Sequence, residues 1–284
     1  MPDENLDAAP TDDGLICPEV GAWTEEKHRL VSLYATLFSS GMKEKWDKRV
    51  YIELYAGAGY SRIRGTSRLI FGSPIRALRV KDPFDKYVFC EDDPEKLAAL
   101  KVRVIHAAPN ADVQYVPHDC HQSTDEIFAK IPKYSRDNRV LSLCFADPYD
   151  IGLKFSTLRE LSKLYVDFVV LLALWSDANR AYRQYVVEDA TKVDEFLGSK
   201  TWRERWANAQ LQAIEFPKFL AEEFAASMES LGYLRTPLHR MKRVRSDDKN
   251  LPLYYIALFS KSDRAHEFWD EVLKYSTEQK SLFD

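Results

Sequence analysis

Carboxylates recur in this sequence directly after short apolar segments that are typical of β-strands. Glu91, Asp119 and Asp147 each follow such a segment, and 28 residues separate 91 from 119 and again 119 from 147. One strand–helix–strand unit takes roughly 30 residues. Because an open α/β sheet binds its ligand beyond the carboxyl ends of its strands, we expect these carboxylates to line one site.

A glycine-containing turn follows the first predicted strand, where the sequence reads Glu53-Leu54-Tyr55-Ala56-Gly57-Ala58-Gly59. Gly57 and Gly59 let the backbone turn tightly and let a ligand approach without meeting a Cβ atom. A lone Gly-x-Gly is a weak signal, and a purely structural turn is the alternative. The third glycine of the dinucleotide-binding pattern would be Arg62, which disfavours a dinucleotide, and no phosphate-binding Gly-Lys-Ser/Thr loop is present.

The elements that would position these residues alternate between strands and helices. An amphipathic pattern predicts a helix from an N-cap at Thr24 to about Gly41. Another predicted helix spans 94–107, and the predicted strands are 50–56, 87–90, 113–116, 140–146 and 168–174. This alternation predicts a mostly parallel, doubly wound α/β sheet.

The end of the chain predicts a different connection. After a helix at 216–231, strands at 233–242 and 253–259 are joined by a short polar turn, so they must pair antiparallel. A parallel sheet closed by such a hairpin is typical of class I methyltransferases rather than dehydrogenases. The predicted fold is therefore a Rossmann-like class I methyltransferase domain at 21–174 and 214–284. A small Trp-rich helical insertion is expected at 175–213, and a mobile acidic tail at 1–20.

Within that fold the residues favour S-adenosylmethionine as the ligand. Glu53 could hold its methionine ammonium, Glu91 its ribose hydroxyls, and Asp119 its adenine amino group, with Cys120 packed nearby. Asp92 is a further candidate for binding the cofactor. A solvated glutamate and a helix N-cap are the alternatives for Glu91 and Asp119. His118, Cys120 and His121 lack a second spaced pair of ligands, so no metal site is predicted.

Basic residues suggest contacts with an anionic substrate or partner. The connection at 60–71 is long for a loop before a helix start at Ser73-Pro74, and it carries Arg62, Arg64 and Arg68. Further candidates are Arg180, Arg240 and Arg243; Arg240 and Arg243 lie in a basic run whose alternative interpretation is a solvated edge strand. The net charge of −4 offers no general attraction to nucleic acid.

The composition predicts a cytoplasmic protein. No apolar run approaches the roughly 18 residues that cross a bilayer, and the acidic start lacks the order of a signal peptide. The four cysteines have no paired spacing, so they are expected to be reduced. No contact with a membrane is predicted.

Several motifs together resemble the three-Cys-motif partner proteins. They are Trp23-Thr24-x-x-Lys27, Tyr55-Ala56-Gly57-Ala58-Gly59, Gly72-Ser73-Pro74-x-x-Ala77-Leu78 and Asp147-Pro148-Tyr149. The resemblance covers about 21–260 and implies a class I methyltransferase fold with bound S-adenosylmethionine. It also implies a partner, a three-cysteine protein similar to radical S-adenosylmethionine enzymes. Trp23 and Lys27 further resemble the segment that leads into the cofactor site of adenine methyltransferases, with a core tryptophan and a solvated lysine as the alternative.

Asp147, Pro148 and Tyr149 are the candidate catalytic residues. They resemble the Asp-Pro-Pro-Tyr motif of methyltransferases that act on exocyclic amino groups, where the aspartate orients the amine and the aromatic ring stacks on the base. The second proline is missing here, and Asp150 stands where the aromatic residue would be. Two hypotheses follow: a methyltransferase for an amino group of a nucleic acid base, or a non-catalytic partner module. A structural turn and a small-molecule methyltransferase remain further alternatives.

Overall fold

The computed structural model describes residues 9–179, 181–187, 189–246 and 249–281. A seven-stranded sheet forms its centre, in the order β6-β5-β2-β7-β8-β10-β9. The strands are β2 (Lys48–Glu53), β5 (Lys86–Cys90), β6 (Val113–Val116), β7 (Val140–Ala146), β8 (Val166–Leu172), β9 (Lys242–Arg245) and β10 (Pro252–Phe259). The first five are parallel, and β10 pairs antiparallel with both β8 and β9. This is the predicted class I methyltransferase fold.

Alternation along the strands produces two hydrophobic faces. Val50 and Ile52 of β2 point into one core and Tyr51 into the other. The first core packs on α4 (Thr124–Lys130), α5 (Phe155–Leu161), α7 (Lys192–Leu197), α8 (Trp202–Leu211) and α9 (Phe216–Glu229). The second packs on α1 (Thr24–Met42), α2 (Ser73–Leu78), α3 (Pro94–Ala107) and α10 (Asp263–Ser281). Helices on both faces explain why β7 and β8 are buried at every position.

The region after β8 is helical, as the sequence suggested. It contains a π-helical turn (Leu174–Ala178), α6 (Tyr182–Tyr185), α7 and α8. Trp202 and Trp206 are buried, and their rings pack against Phe216 of α9. This helical region therefore extends the first core, while its division into a separate unit stays a prediction. No helix of the described residues is long and apolar enough to cross a membrane.

The arginine-bearing connection is a hairpin rather than a long loop. Its strands β3 (Tyr60–Ile63) and β4 (Leu69–Phe71) pair antiparallel, and β1 (Glu19–Val20) joins β3 in parallel. The loop prediction was wrong because residues 60–63 and 69–71 pair with each other across a short turn. The amides of Arg62 and Arg64 also donate to the carbonyl oxygens of Pro18 and Val20, which are distant in sequence. Likewise, Gly72 rather than Ser73 is the N-cap of α2, and the Ser73 hydroxyl instead donates to Glu53.

Several other boundaries differ from expectation, and β2 and β8 each begin two residues earlier than predicted. The strand predicted at 233–242 was wrong except at its last residue, because Pro237 and a 3-10 turn (Leu238–Arg240) occupy that segment and β9 begins only at Lys242. The first helix begins at Thr24 with Trp23 as its N-cap and continues past Gly41.

Arg103 of α3 forms hydrogen bonds both with residues near the start of the chain and with the turn that contains Gly57 and Gly59. Its side chain is 1% exposed. It donates to both carboxylate oxygens of Asp13 at 2.8 and 2.7 Å, and to the carbonyl oxygens of Ala58 at 2.7 Å and Ile16 at 3.0 Å. Residues 9–20 thus make defined contacts; their expected mobility stays a prediction, and residues 1–8 lie outside the described residues.

We predict that Arg103→Met destabilises the fold by about 3 kcal/mol, because it leaves a carboxylate and two carbonyl oxygens without their donor. Urea unfolding measures this change. Ile105→Ala is the matched control on the same helix, since Ile105 is 64% exposed and should change stability by less than about 0.5 kcal/mol. Equal stability of the two variants would contradict the role given to Arg103.

Candidate functional site

A cavity of about 800 Å³ opens beyond the carboxyl ends of the parallel strands. Strand order reverses there, since β5 lies on one side of β2 and β7 on the other, and this is where open α/β sheets bind ligands. Of the predicted site residues, the following line the cavity: Trp23, Lys27, Tyr55, Gly57, Gly59, Arg64, Glu91, Asp92, Asp119, Cys120, Asp147, Pro148 and Tyr149. The strand ends therefore bring together residues between 55 and 149, and the start of α1 adds Trp23 and Lys27.

Gly57 forms the cavity floor together with Glu91. Its backbone φ is +65°, and a Cβ atom at this position would meet nothing within 4 Å. Glu91 Oε2 accepts a hydrogen bond from the Gly57 amide at 2.7 Å, and Oε1 accepts one from the Asp93 amide at 3.0 Å. Burial raises the pKa of the Glu91 carboxyl, although these two amide hydrogen bonds oppose the shift. Gly57, in a left-handed conformation, thus exposes its backbone to the cavity beside the carboxylate of Glu91.

Glu53 lies away from the cavity. It is fully buried, accepts a hydrogen bond from Tyr51 Oη at 3.1 Å and another from the Ser73 hydroxyl. Burial raises the pKa of its carboxyl well above the usual value. The structure therefore places Glu53 in an internal network that ties β2 to α2, and its proposed contact with a ligand ammonium stays a prediction.

Asp119 and its neighbours form a hydrogen-bonded chain on the other side of the cavity. Asp119 Oδ1 accepts from the His121 amide at 2.8 Å. The His121 ring bonds Tyr55 Oη through Nε2 at 2.9 Å and Thr157 Oγ1 through Nδ1 at 2.7 Å. Thr157 and His121 were not among the predicted site residues, because their contact depends on the packing of α5 and no local pattern marks it.

Asp119, Cys120 and His121 also bring three metal-ligating atoms within 4.8 Å of one another. Both ring nitrogens of His121 already bond hydroxyl groups. Burial raises the pKa of the Cys120 thiol to about 12. The donor set fits a hydrogen-bonded chain better than a metal centre.

Asp147 meets Lys27 across the cavity. Lys27 Nζ of α1 lies 2.5 Å from Asp147 Oδ2, and both side chains are mostly buried, with exposures of 12% and 17%. The pair joins α1 to the end of β7. Pro148 is buried, whereas the Tyr149 ring is 99% exposed at the rim.

Asp150 lines the cavity, but its carboxylate makes two structural contacts. Its Oδ1 accepts from the Gly152 amide and its Oδ2 from Lys192 Nζ, both at 2.6 Å. It therefore caps a turn and anchors the helical region. Of the two residues after Pro148, Tyr149 is the one that could stack on a base.

The predicted basic residues separate into paired and unpaired groups. Arg62 pairs with Asp12 at 2.9 Å, and Arg68 forms a two-pronged pair with Glu25. Arg64 is exposed, lines the cavity and has no side-chain partner among the described residues. Arg240 pairs with Asp270, and Arg243 is exposed on the edge strand β9; both lie outside the cavity. Arg180 lies outside the described residues.

The cavity has one wall that the sequence did not indicate. Leu253 and Tyr254 at the start of β10, and Leu171 and Ala173 around the end of β8, complete the side facing α1. In the sequence these residues look like any other residues of a buried strand, so no sequence signal marks them as part of the cavity.

The known proteins to which the chain is similar are solved structures. No model of a known protein family matches the chain, and no curated protein matches it. Solved structures with a similar fold include an O-methyltransferase from Bacillus cereus in complex with SAH, at a TM-score of 0.48 and 11% identity, covering 90% of this chain and 85% of that one. Another is Trm1 from Pyrococcus horikoshii with S-adenosyl-L-methionine, at 0.44 and 9%, covering 92% and 60%. A third is TYW2 from M. jannaschii in complex with AdoMet, at 0.40 and 10%, covering 86% and 78%. The similarity concerns the fold.

We predict that Glu53→Gln becomes progressively more stable relative to the unmutated protein as pH rises. The pKa of Glu53 is raised in the folded state, so its stabilising contribution is complete below the unfolded value near 4.5 and is lost as pH climbs towards the folded value. Within that window the difference grows by about 1.4 kcal/mol per pH unit.

Urea unfolding at about pH 5 and about pH 8 measures this difference, with Glu44→Gln as the control at an exposed glutamate. A constant difference between Glu53→Gln and the unmutated protein would mean that Glu53 is charged and solvated, and therefore available to the cavity.

Proposed function

We propose that the protein is an S-adenosylmethionine-dependent methyltransferase whose acceptor is an amino group of a nucleic acid base. The observation that carries the proposal is the bare left-handed backbone of Gly57 beside Glu91, in a cavity that also contains Asp119 and Asp147. That arrangement offers carboxylates for hydroxyl and amino groups without a phosphate-binding loop.

The residues of the cavity fit the cofactor. The space in front of Gly57 is open where a Cβ atom would otherwise project. Glu91 would accept hydrogen bonds from the ribose hydroxyls, since each of its oxygens retains a second lone pair. Asp119 Oδ2 has only a long contact of 3.4 Å with Gln122 and would accept from the adenine amino group. Bound there, the cofactor supplies an electrophilic methyl group on a sulfonium.

The acceptor would lie on the Asp147 side of the cavity. A carboxylate there can accept a hydrogen bond from an amine and so direct its lone pair towards the methyl group. The exposed Tyr149 ring at the rim offers a stacking surface for a base, and the unpaired Arg64 offers a contact for a phosphate. These three residues support a nucleic acid over a small apolar acceptor.

A specific observation favours a second function, that of a non-catalytic partner module. Lys27 already donates to Asp147, so an acceptor amine must displace it or share the carboxylate. The resemblance to the three-Cys-motif partner proteins would make a three-cysteine protein similar to radical S-adenosylmethionine enzymes the partner. The proposed family assignment rests on the motifs around Lys27, Gly57, Ser73 and Asp147.

Transfer of a labelled methyl group distinguishes the two functions. The protein is incubated with labelled S-adenosylmethionine and with total cellular RNA, DNA or protein. Label in a nucleic acid fraction that disappears with Asp147→Ala supports the methyltransferase. Cofactor binding without transfer to any fraction supports the partner module.

We predict that Gly57→Ala weakens S-adenosylmethionine binding at least about tenfold. The new methyl group would project into the open space of the cavity, and the left-handed backbone would cost about 1 to 2 kcal/mol of stability. Gly65→Ala is a matched control, since its φ is +73° and an added Cβ atom would likewise meet nothing within 4 Å. Calorimetry should show unchanged affinity for Gly65→Ala, and equal losses in both variants would refute a ligand at Gly57.

We also predict that Glu91→Ala impairs cofactor binding, whereas Asp147→Ala impairs methyl transfer. Loss of Glu91 removes hydrogen bonds to a charged group and should lower cofactor affinity at least about tenfold. Loss of Asp147 should leave that affinity within a few fold and lower methyl transfer about a hundredfold.

Asp147→Ala also leaves the buried Lys27 without its partner, so the double variant with Lys27→Met serves as the control for folding. If the double variant regains stability and keeps its cofactor affinity but does not regain transfer, Asp147 acts on the acceptor. If methyl transfer survives in both variants, Asp147-Pro148-Tyr149 is a structural turn.

A further inference from the structure

Three aromatic rings lie side by side at the opposite end of the sheet from the cavity. The ring centroids of Tyr134 and Tyr165 are 4.6 Å apart, and those of Trp46 and Tyr165 are 5.6 Å apart. Tyr134 is 46% exposed and Tyr165 is 53% exposed. We call this group, with the loops that carry it at 43–48, 132–139 and 162–165, the basal patch.

The three loops of the basal patch precede neighbouring central strands. They lead into β2, β7 and β8, so the patch lies at the amino ends of strands whose carboxyl ends face the cavity. A strand of six or seven residues spans roughly 20 Å. Whatever binds the patch therefore contacts a surface separate from the cavity.

Local contacts hold the loops of the basal patch in place. Asn138 exchanges backbone hydrogen bonds with Ser135, and its side chain donates to the Lys133 carbonyl at 2.8 Å. Arg139 pairs with Asp47 at 3.1 Å, and its carbonyl accepts from the amides of residues 47 and 48. The Trp46 ring is partly buried against the second core. The exposed rings are thus displayed on anchored loops.

The charge of the basal patch is opposite to that of the whole protein. Its loops contain seven cationic residues and three acidic ones, and two of the cations, Lys43 and Lys163, pair with Asp82 and Glu160 outside the loops. The chain as a whole carries a net charge of −4. Three exposed cations have no carboxylate partner among the described residues: Lys45, Lys133 and Arg136. Lysines are depleted in protein–protein interfaces, and a cationic surface with stackable rings is typical of sites for single-stranded nucleic acids.

We propose that the basal patch binds single-stranded nucleic acid, with bases stacked on Tyr134 and Tyr165 and phosphates beside the unpaired cations. Stacking on aromatic side chains tolerates any base, so the site would bind without strong sequence preference. The proposal is independent of the methyltransferase assignment, because it rests on a different end of the sheet.

Fluorescence anisotropy with a labelled single-stranded RNA of mixed sequence tests the proposal. The double variant Tyr134→Ala/Tyr165→Ala should raise Kd at least about tenfold, because two stacking contacts are lost. Tyr275→Ala is the control at an equally exposed tyrosine (59%) on α10 and should leave Kd unchanged. Since loss of two tyrosines could disturb folding, Lys133→Ala/Arg136→Ala provides a second variant. It should weaken binding and reduce the salt slope of log K by about one to two.

Two outcomes would overturn the proposal. The first is RNA affinity that stays the same in both patch variants and falls with Arg64→Ala, which would assign binding to the cavity rim. The second is an absence of RNA binding at low salt together with a dimer in sedimentation that Tyr134→Ala/Tyr165→Ala dissociates, which would make the patch an interface between copies of the chain.

Discussion

The hydrogen bond from the Gly57 amide to Glu91 is the contact on which the site depends. It joins the ends of β2 and β5 at 2.7 Å, directly beyond the pairing of the Ala56 amide with the Cys90 carbonyl. It holds the chain in a left-handed turn that only glycine adopts without strain. The same bond keeps a largely buried carboxylate at the cavity floor, where its remaining lone pairs can meet a ligand. Without this hydrogen bond, neither the backbone of the turn nor the Glu91 carboxylate would be held in its position in the cavity.

A second set of contacts closes the cavity from outside the sheet. Lys27 reaches from α1 to Asp147, and Lys192 reaches from the helical region to Asp150. Both pairs act on the segment after β7, so two charges fix the loop that would orient an acceptor. A mostly buried pair such as Lys27–Asp147 contributes little net stability but is costly to break on one side. An acceptor amine that shares the carboxylate with Lys27 would leave the ion pair intact, which reconciles the closed geometry with a role in catalysis.

The parts of the structure that could be predicted from the sequence are those specified by neighbouring residues. The parallel strands, the antiparallel hairpin at β9 and β10 and the helix Pro94–Ala107 follow from periodicity and turn residues. The meeting of Gly57, Glu91, Asp119 and Asp147 follows from strand direction alone. The remaining features depend on partners far apart in the chain. The sequence could not show that Asp12 and Glu25 pair with Arg62 and Arg68, nor that Ser73 turns Glu53 inward, because no local pattern records tertiary contacts.

A crystal structure of the protein with S-adenosylhomocysteine is the most direct test of the proposed site. We expect the ligand in the cavity, with its ribose hydroxyls on Glu91, its adenine beside Asp119, and its homocysteine sulfur directed towards Asp147. A ligand bound elsewhere, or a cavity in which Gly57 and Glu91 contact no part of it, would contradict the assignment of this site.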